Sequence, residues 1–326
     1  MNKALSPSEL GALHDFHDFD PAEDDFRSAV LSGLTQPQKS LSSKFFYDRR
    51  GSELFDEITE LEAYYPTRTE IGLLERFGAD IAAAVGPQPT VVEYGAGSVQ
   101  KIRLLLDAIH APVFVPIDIS RDHLIRSAKD LAVDYPDTQV VAICADFTQG
   151  VVLPNDLPTH NRLGFFPGST LGNFSRDDAQ RFLARTRETL GPASAFLMGI
   201  DLRKDTSVLH TAYNDPAGIT AAFNLNLLIR INQELDATFD LTAFRHDAPW
   251  VEEQGRIEMR LYSTTAQTVR VAGTDVHFDE GEYIHTENSH KYDVAEFQDL
   301  AREAGYEPTN VWVDDADLFS LHYLKG

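Results

Sequence analysis

Residues 90–97, Thr90-Val91-Val92-Glu93-Tyr94-Gly95-Ala96-Gly97, decide the fold. An apolar run closing on two glycines reads as a buried strand ending in a tight turn. The stretch after it, Val99 to His110, carries Ile102, Leu105, Leu106 and Ile109 at helical spacing. The same grammar then repeats. Residues 113–119 (VFVPIDI) read as a strand, followed by a helix that stops before Pro136. Residues 140–147 (VVAICADF) and 162–168 (RLGFFPG) are further strands, Ser175 opens a helix that Gly191 closes, and residues 195–202 (AFLMGIDL) form a fifth strand. Strands alternating with helices predict the α/β class, with a Rossmann-like parallel sheet covered by helices on both faces.

Working outward, the pattern changes after about residue 204. A helical region over 208–235 precedes residues 258–287, whose alternation and glycine-punctuated turns predict an antiparallel sheet. From 294 the first grammar returns, as a helix closed by Gly305 and a hairpin turning at Asp315, Ala316 and Asp317. These switches predict a core of 28–203 and 292–326, with 1–27 and 204–291 forming a smaller α+β domain inserted before the last strands.

Composition bounds the function. With 326 residues, 43% hydrophobic and 24% charged, the chain suits one or two globular domains rather than a fibre, coiled coil or disordered polymer. Lys and Arg number 28 against 51 Asp and Glu, and the net charge of −23 excludes nucleic acid or an anionic lipid surface as the expected partner. The single cysteine, Cys144, forms no internal disulfide. The first twenty residues place acids where a secretion signal needs an apolar core, and no stretch approaches the length of a membrane span, so the expected location is the cytoplasm. No exposed apolar stripe stands out, which predicts a monomer.

The turn at Gly95 and Gly97 lets a ligand approach the backbone, at the strand ends where open parallel sheets bind ligands. A dinucleotide dehydrogenase wants a third glycine where Gln100 stands. Acids instead close three successive strands: Glu93, Asp118, and Asp146 followed by Phe147. Asp118 can accept from two ribose hydroxyls and Asp146 from an adenine amino group with Phe147 against the ring, while Glu93 can hold a cationic methionine end. That set suits S-adenosylmethionine. Each acid alone is equally well read as a helix cap or a loop carboxylate; three at successive strand ends are more specific.

In its order of motifs the sequence resembles the histidine-specific alpha-amino methyltransferases of ergothioneine biosynthesis. The carriers are Lys44-Phe45-Phe46-Tyr47-Asp48, Gly51-Ser52, Tyr64-Tyr65-Pro66-Thr67-Arg68, the stretch Glu93 to Gly97, Phe166 to Asn173, Ala221-Ala222-Phe223-Asn224, Arg256-Ile257-Glu258-Met259, and Thr286-Glu287 with Ser289 and Lys291. The resemblance implies three methyl transfers from S-adenosylmethionine to the amino group of L-histidine, giving hercynine. It also implies a cofactor site of Gly95, Lys101, Asp118, Asp146 and Phe147. Asn173 and Tyr213 would hold the substrate carboxylate, Tyr47 would stand near the amine as the catalytic group, and Tyr64, Glu287 and Ser289 would read the imidazole beside Met259. Tyr94 and Ala96 stand where some members carry Leu and Ser, and Ser169 where Gly is expected.

Alternatives remain in the sequence. An acceptor such as tryptophan or a modified histidine keeps the fold and cofactor, and a ligand-binding protein or nicotinamide enzyme changes the class. His14 with His17, and His285 with His290, have ligand-like spacing but no third partner, so no metal is expected.

Overall fold

The computed structural model describes residues 6–19, 24–97 and 99–326. Its strands are β1 (Asp15–Asp18), β2 (Thr90–Tyr94), β3 (Val113–Asp118), β4 (Gln139–Cys144), β5 (Arg162–Phe166), β6 (Ala195–Asp201), β7 (Phe244–Asp247), β8 (Trp250–Val251), β9 (Arg256–Ser263), β10 (Gln267–Val271), β11 (Thr274–Phe278), β12 (Tyr283–His290), β13 (Glu307–Val313) and β14 (Phe319–Lys325). The contacts divide the chain into two compact units. The first holds the described part of Met1–Pro21 with Pro66–Leu202 and Tyr292–Gly326; the second holds Ala22–Tyr65 and Arg203–Lys291.

The first unit is built on one sheet ordered β1-β4-β3-β2-β5-β6-β14-β13. The pairs from β1 to β6 are parallel, whereas β14 runs antiparallel to β6 and to β13. Side chains alternate across the pleat. Val91, Phe114, Leu163 and Phe165 enter one core with Leu73, Leu74 and Ile81 of the helix Tyr65–Val85. Val92, Tyr94, Val115 and Phe166 enter the other with Phe182 and Phe297 of the helices Arg176–Leu190 and Val294–Glu303. The expected sheet is present, with helices on both faces, and β2 lies at its switch point, pairing with β3 on one side and β5 on the other.

In two places the units differ from the expected domains. Residues 15–18, expected in the second domain, pair with β4 and extend the core sheet by a strand. Asp18, buried there, accepts from Arg121 Nε at 2.9 Å. Residues 28–65, expected in the core, belong to the second unit. Phe46 stacks on Phe223 with ring centroids 4.5 Å apart, and Asn226 Nδ2 donates to Asp48 at 2.9 Å, so this segment is fastened to the helix Ile219–Glu234. Residues 1–5 and 20–23 of the expected arm lie outside the described residues.

The second unit carries a sheet ordered β12-β9-β7, with β8 pairing off β9, and the hairpin β10-β11. All these pairs are antiparallel, as the alternation predicts.

Candidate functional site

In the first unit the glycine turn follows β2 directly. Gly95 adopts φ 76°, a left-handed conformation that side chains disfavour, and its amide donates to Ile117 O at 2.9 Å, folding the turn against β3. A Cβ on Gly97 would meet nothing within 4 Å, so open space borders the backbone there. Glu93, 1% exposed, keeps Oε1 buried without a hydrogen-bond partner among the described residues. Burial holds its carboxyl well above the ordinary range, reinforced by Asp118. Burial also raises Asp118, opposed by its bonds to Ser120, whose amide donates to Asp118 Oδ1 at 2.7 Å. Asp146 Oδ1 accepts from the Thr148 amide at 3.0 Å, which caps the short turn Phe147–Gln149. The Phe147 ring stands edge-on to Tyr94, with centroids 6.3 Å apart.

An unpartnered buried carboxylate oxygen beside an open glycine turn is what a cationic ligand group would complete. The donor set therefore fits S-adenosylmethionine: Glu93 for its charged end, Asp118 and Asp146 as acceptors for its hydroxyls and amino group.

One buried residue in contact with a candidate cofactor residue escaped the sequence reading. Glu70, fully buried on the helix Tyr65–Val85, lies 2.7 Å from Lys101 Nζ and accepts from the Gly168 amide at 2.9 Å. It ties the helix that starts at the glycine turn to the loop after β5. The space it fills is provided by Gly199 in β6, where a Cβ would come within 2.0 Å of Glu70 Oε1. The same loop explains the Ser169 departure. Ser169 takes φ 55°, the conformation that favours glycine, and its hydroxyl accepts from the Asp201 amide at 2.9 Å. Asn173 ends the following turn Thr170–Asn173, half-buried.

In the second unit, Glu287 and Met259 are direct partners across β12 and β9, which places both side chains on one face. Their register depends on a bulge. His285 pairs with Arg260 and Glu287 with Met259, leaving Thr286 as the extra residue. The bulge reverses the parity of the strand, so that the face shared by Glu287 and Ser289 lies on the side of Met259 and Ile257. The Thr286 hydroxyl fastens it, lying 3.0 Å from Met259 O and 2.8 Å from Asn224 Oδ1. Asn224 Nδ2 donates to His246 Nδ1 at 2.9 Å, so His246 Nε2 carries the hydrogen and donates to Tyr213 O at 2.9 Å. Burial keeps His246 below its ordinary pKa, as this neutral arrangement requires.

Tyr213, from the helix Thr206–Tyr213, meets this face: its Oη lies 2.7 Å from Ser289 Oγ, and its ring is edge-on to Tyr64 at 6.3 Å. Lys291 Nζ donates to both hydroxyls, at 2.9 and 2.8 Å. Burial pushes the Glu287 carboxyl up to about 7, opposed by Lys291. Tyr47, half-buried, stands edge-on to Phe55 and Phe223, with centroids 5.8 and 6.0 Å away. The second unit thus gathers Tyr64, Tyr213, Met259, Glu287 and Ser289 around a single face of β9 and β12. Of the histidines with ligand-like spacing, His17 Nε2 lies 3.1 Å from Asp15 Oδ2 and His285 Nε2 lies 2.8 Å from Asn288 Oδ1.

A family model described as histidine-specific methyltransferase, SAM-dependent, matches residues 26–326. The chain is 43% identical to a histidine N-alpha-methyltransferase of Mycolicibacterium smegmatis, over 93% of this chain and 95% of the relative. It is 40% identical to a histidine N-alpha-methyltransferase of Mycobacterium tuberculosis, over 90% of this chain and 93% of the relative. Among solved structures it is similar to the CcbJ methyltransferase of Streptomyces caelestis, with a TM-score of 0.42 and 16% identity over 78% of this chain and 95% of that one. The family model over residues 26–326 and the two relatives at 43% and 40% identity show the family: the chain belongs to the S-adenosylmethionine-dependent, histidine-specific methyltransferases.

Proposed function

We propose that this protein methylates the alpha-amino group of L-histidine three times, giving hercynine, the first step of ergothioneine biosynthesis, with Glu287 as the main reader of the imidazole. The observation that carries the reading is Glu287 itself, a half-buried carboxylate placed opposite Met259 by the bulge at Thr286. An acceptor-only group set against an apolar side chain suits a flat ring that carries an N–H.

S-adenosylmethionine, when bound, supplies a methyl group on a sulfonium, open to displacement by an unprotonated amine. The chain's own task is alignment and deprotonation rather than covalent catalysis. Glu93, Gly95, Lys101, Asp118, Asp146 and Phe147 hold the donor. Asn173 and Tyr213 donate to the acceptor's carboxylate, Tyr64 and Ser289 flank its ring, and the Tyr47 hydroxyl accepts from the amine and passes its proton to solvent. Three methylations remove every N–H of that amine, so recognition rests on the carboxylate and the ring, which do not change. Displacement at a sulfonium needs no Lewis acid, so the reaction proceeds without a metal. All these residues come from one chain, and a monomer in the cytoplasm suffices.

A charge-assisted hydrogen bond contributes about 1.5 to 3 kcal/mol, on the order of 10 to 150-fold. Glu287→Ala is therefore expected to keep binding S-adenosylhomocysteine while losing at least about tenfold in kcat/KM for histidine. An unchanged value would remove Glu287 from ring recognition.

A further inference from the structure

Lys291 has no part in the reading above, yet it is 1% exposed and touches two of its residues. Its ammonium donates to Tyr213 Oη at 2.9 Å and to Ser289 Oγ at 2.8 Å, while those oxygens lie 2.7 Å from each other. A hydroxyl can donate or accept, and a buried Tyr or Ser alone leaves that choice to its surroundings. An ammonium has only donors. Placed behind both oxygens, it occupies an acceptor position on each and leaves each hydroxyl hydrogen to be given away. In the free protein the two hydroxyls spend one of these hydrogens on each other.

We propose that Lys291 is a positioning residue for acceptor binding, which fixes Tyr213 and Ser289 as hydrogen donors so that the amino acid's carboxylate and bare ring nitrogen replace their mutual bond. The proposal rests on the substrate roles given to Tyr213 and Ser289 above. It also explains how neutral donors hold a carboxylate without an arginine: the positive charge stands one bond behind, acting through the hydroxyls. On the same face, Glu287 only accepts when ionised, so the face offers donors at Tyr213 and Ser289 and an acceptor at Glu287. A neutral imidazole, with one N–H and one bare nitrogen, matches that polarity.

The test is a mutant cycle on the full chain with Lys291→Met, Ser289→Ala and the double variant, measuring KM for histidine and for S-adenosylmethionine. Loss of a charge-assisted bond predicts that Lys291→Met raises KM for histidine by about tenfold or more, with KM for S-adenosylmethionine within about twofold. Because Lys291 acts through the hydroxyls, the double variant is expected within about threefold of the worse single variant. Costs that multiply, an equal rise in both KM values, or no rise for Lys291→Met would overturn the proposal. If Ser289→Ala leaves KM for histidine unchanged, the substrate role of Ser289 falls as well; if Ser289→Ala raises it but the costs multiply, only the Lys291 proposal falls. Should Lys291→Met fail to fold, Lys291→Gln, whose amide both donates and accepts and so no longer fixes the polarity, is expected to show the same pattern.

Discussion

Glu70 and Lys101 form a buried ion pair, 2.7 Å apart, with the Gly168 amide donating to the same carboxylate. Removing one partner leaves the other charged and enclosed, which costs about 3 to 5 kcal/mol in typical cases. Glu70→Ala is expected to lower the unfolding midpoint in denaturant accordingly and to raise KM for S-adenosylmethionine. Combining it with Lys101→Met should restore much of the stability and none of the cofactor affinity. Full recovery of both would reduce the pair to scaffolding.

Gly199 tests the same arrangement from the other side. A methyl group there would stand 2.0 Å from Glu70 Oε1 and 3.0 Å from the Phe319 ring, so Gly199→Ala must displace the carboxylate. It is expected to match Glu70→Ala in KM for S-adenosylmethionine, although Ala is ordinarily harmless in a strand. Wild-type cofactor kinetics in this variant would show that the position of Glu70 does not matter.

Thr286 holds the bulge that aims Glu287. Thr286→Val keeps the shape but leaves Met259 O and Asn224 Oδ1 without the hydroxyl between them, at a cost of about 1 to 3 kcal/mol for buried groups left unsatisfied. The expected outcome is a lower melting temperature with a higher KM for histidine. A change in stability alone would mean that the backbone holds the bulge unaided.

Glu287 sets the pH dependence. Its carboxyl is pushed up to about 7 by burial. Ionised, it accepts from a ring N–H in a charge-assisted bond that protonation weakens, so kcat/KM for histidine is expected to fall as pH drops through about 7, and Glu287→Gln to flatten that limb. The stability sign runs the other way. The folded state holds this proton more tightly than the unfolded state, whose carboxyl titrates near 4.5, so between those values the group's contribution to stability declines as pH rises. Glu287→Gln removes that decline, which denaturant titrations at pH 5 and pH 8 would reveal.

The parts legible in the sequence were those written in continuous apolar runs. Strands β2 to β6 are buried on both faces and announce themselves, and the acids closing them follow from that placement. β1 did not: Asp15-Phe16-His17-Asp18 is four residues with two acids, and only pairing with β4 makes it a strand. Glu70 was hidden because a glutamate amid a helix reads as solvent-facing, and what makes room for it, Gly199, is more than a hundred residues away. Lys291 was visible as a residue of the motif but not as a contact. By strict alternation it shares a face with Glu287 and Ser289, but only the bulge at Thr286 puts that face inward alongside Met259. The grouping of residues 28–65 with the second unit was equally unreadable, since helical spacing does not say which partner a helix will find.

The most direct measurement is mass spectrometry of the purified protein incubated with S-adenosylmethionine and each of the twenty amino acids in turn. The account predicts that histidine alone gains one, two and then three methyl groups, ending as the trimethylated product. Methylation of tryptophan or another acceptor in preference to histidine would contradict it.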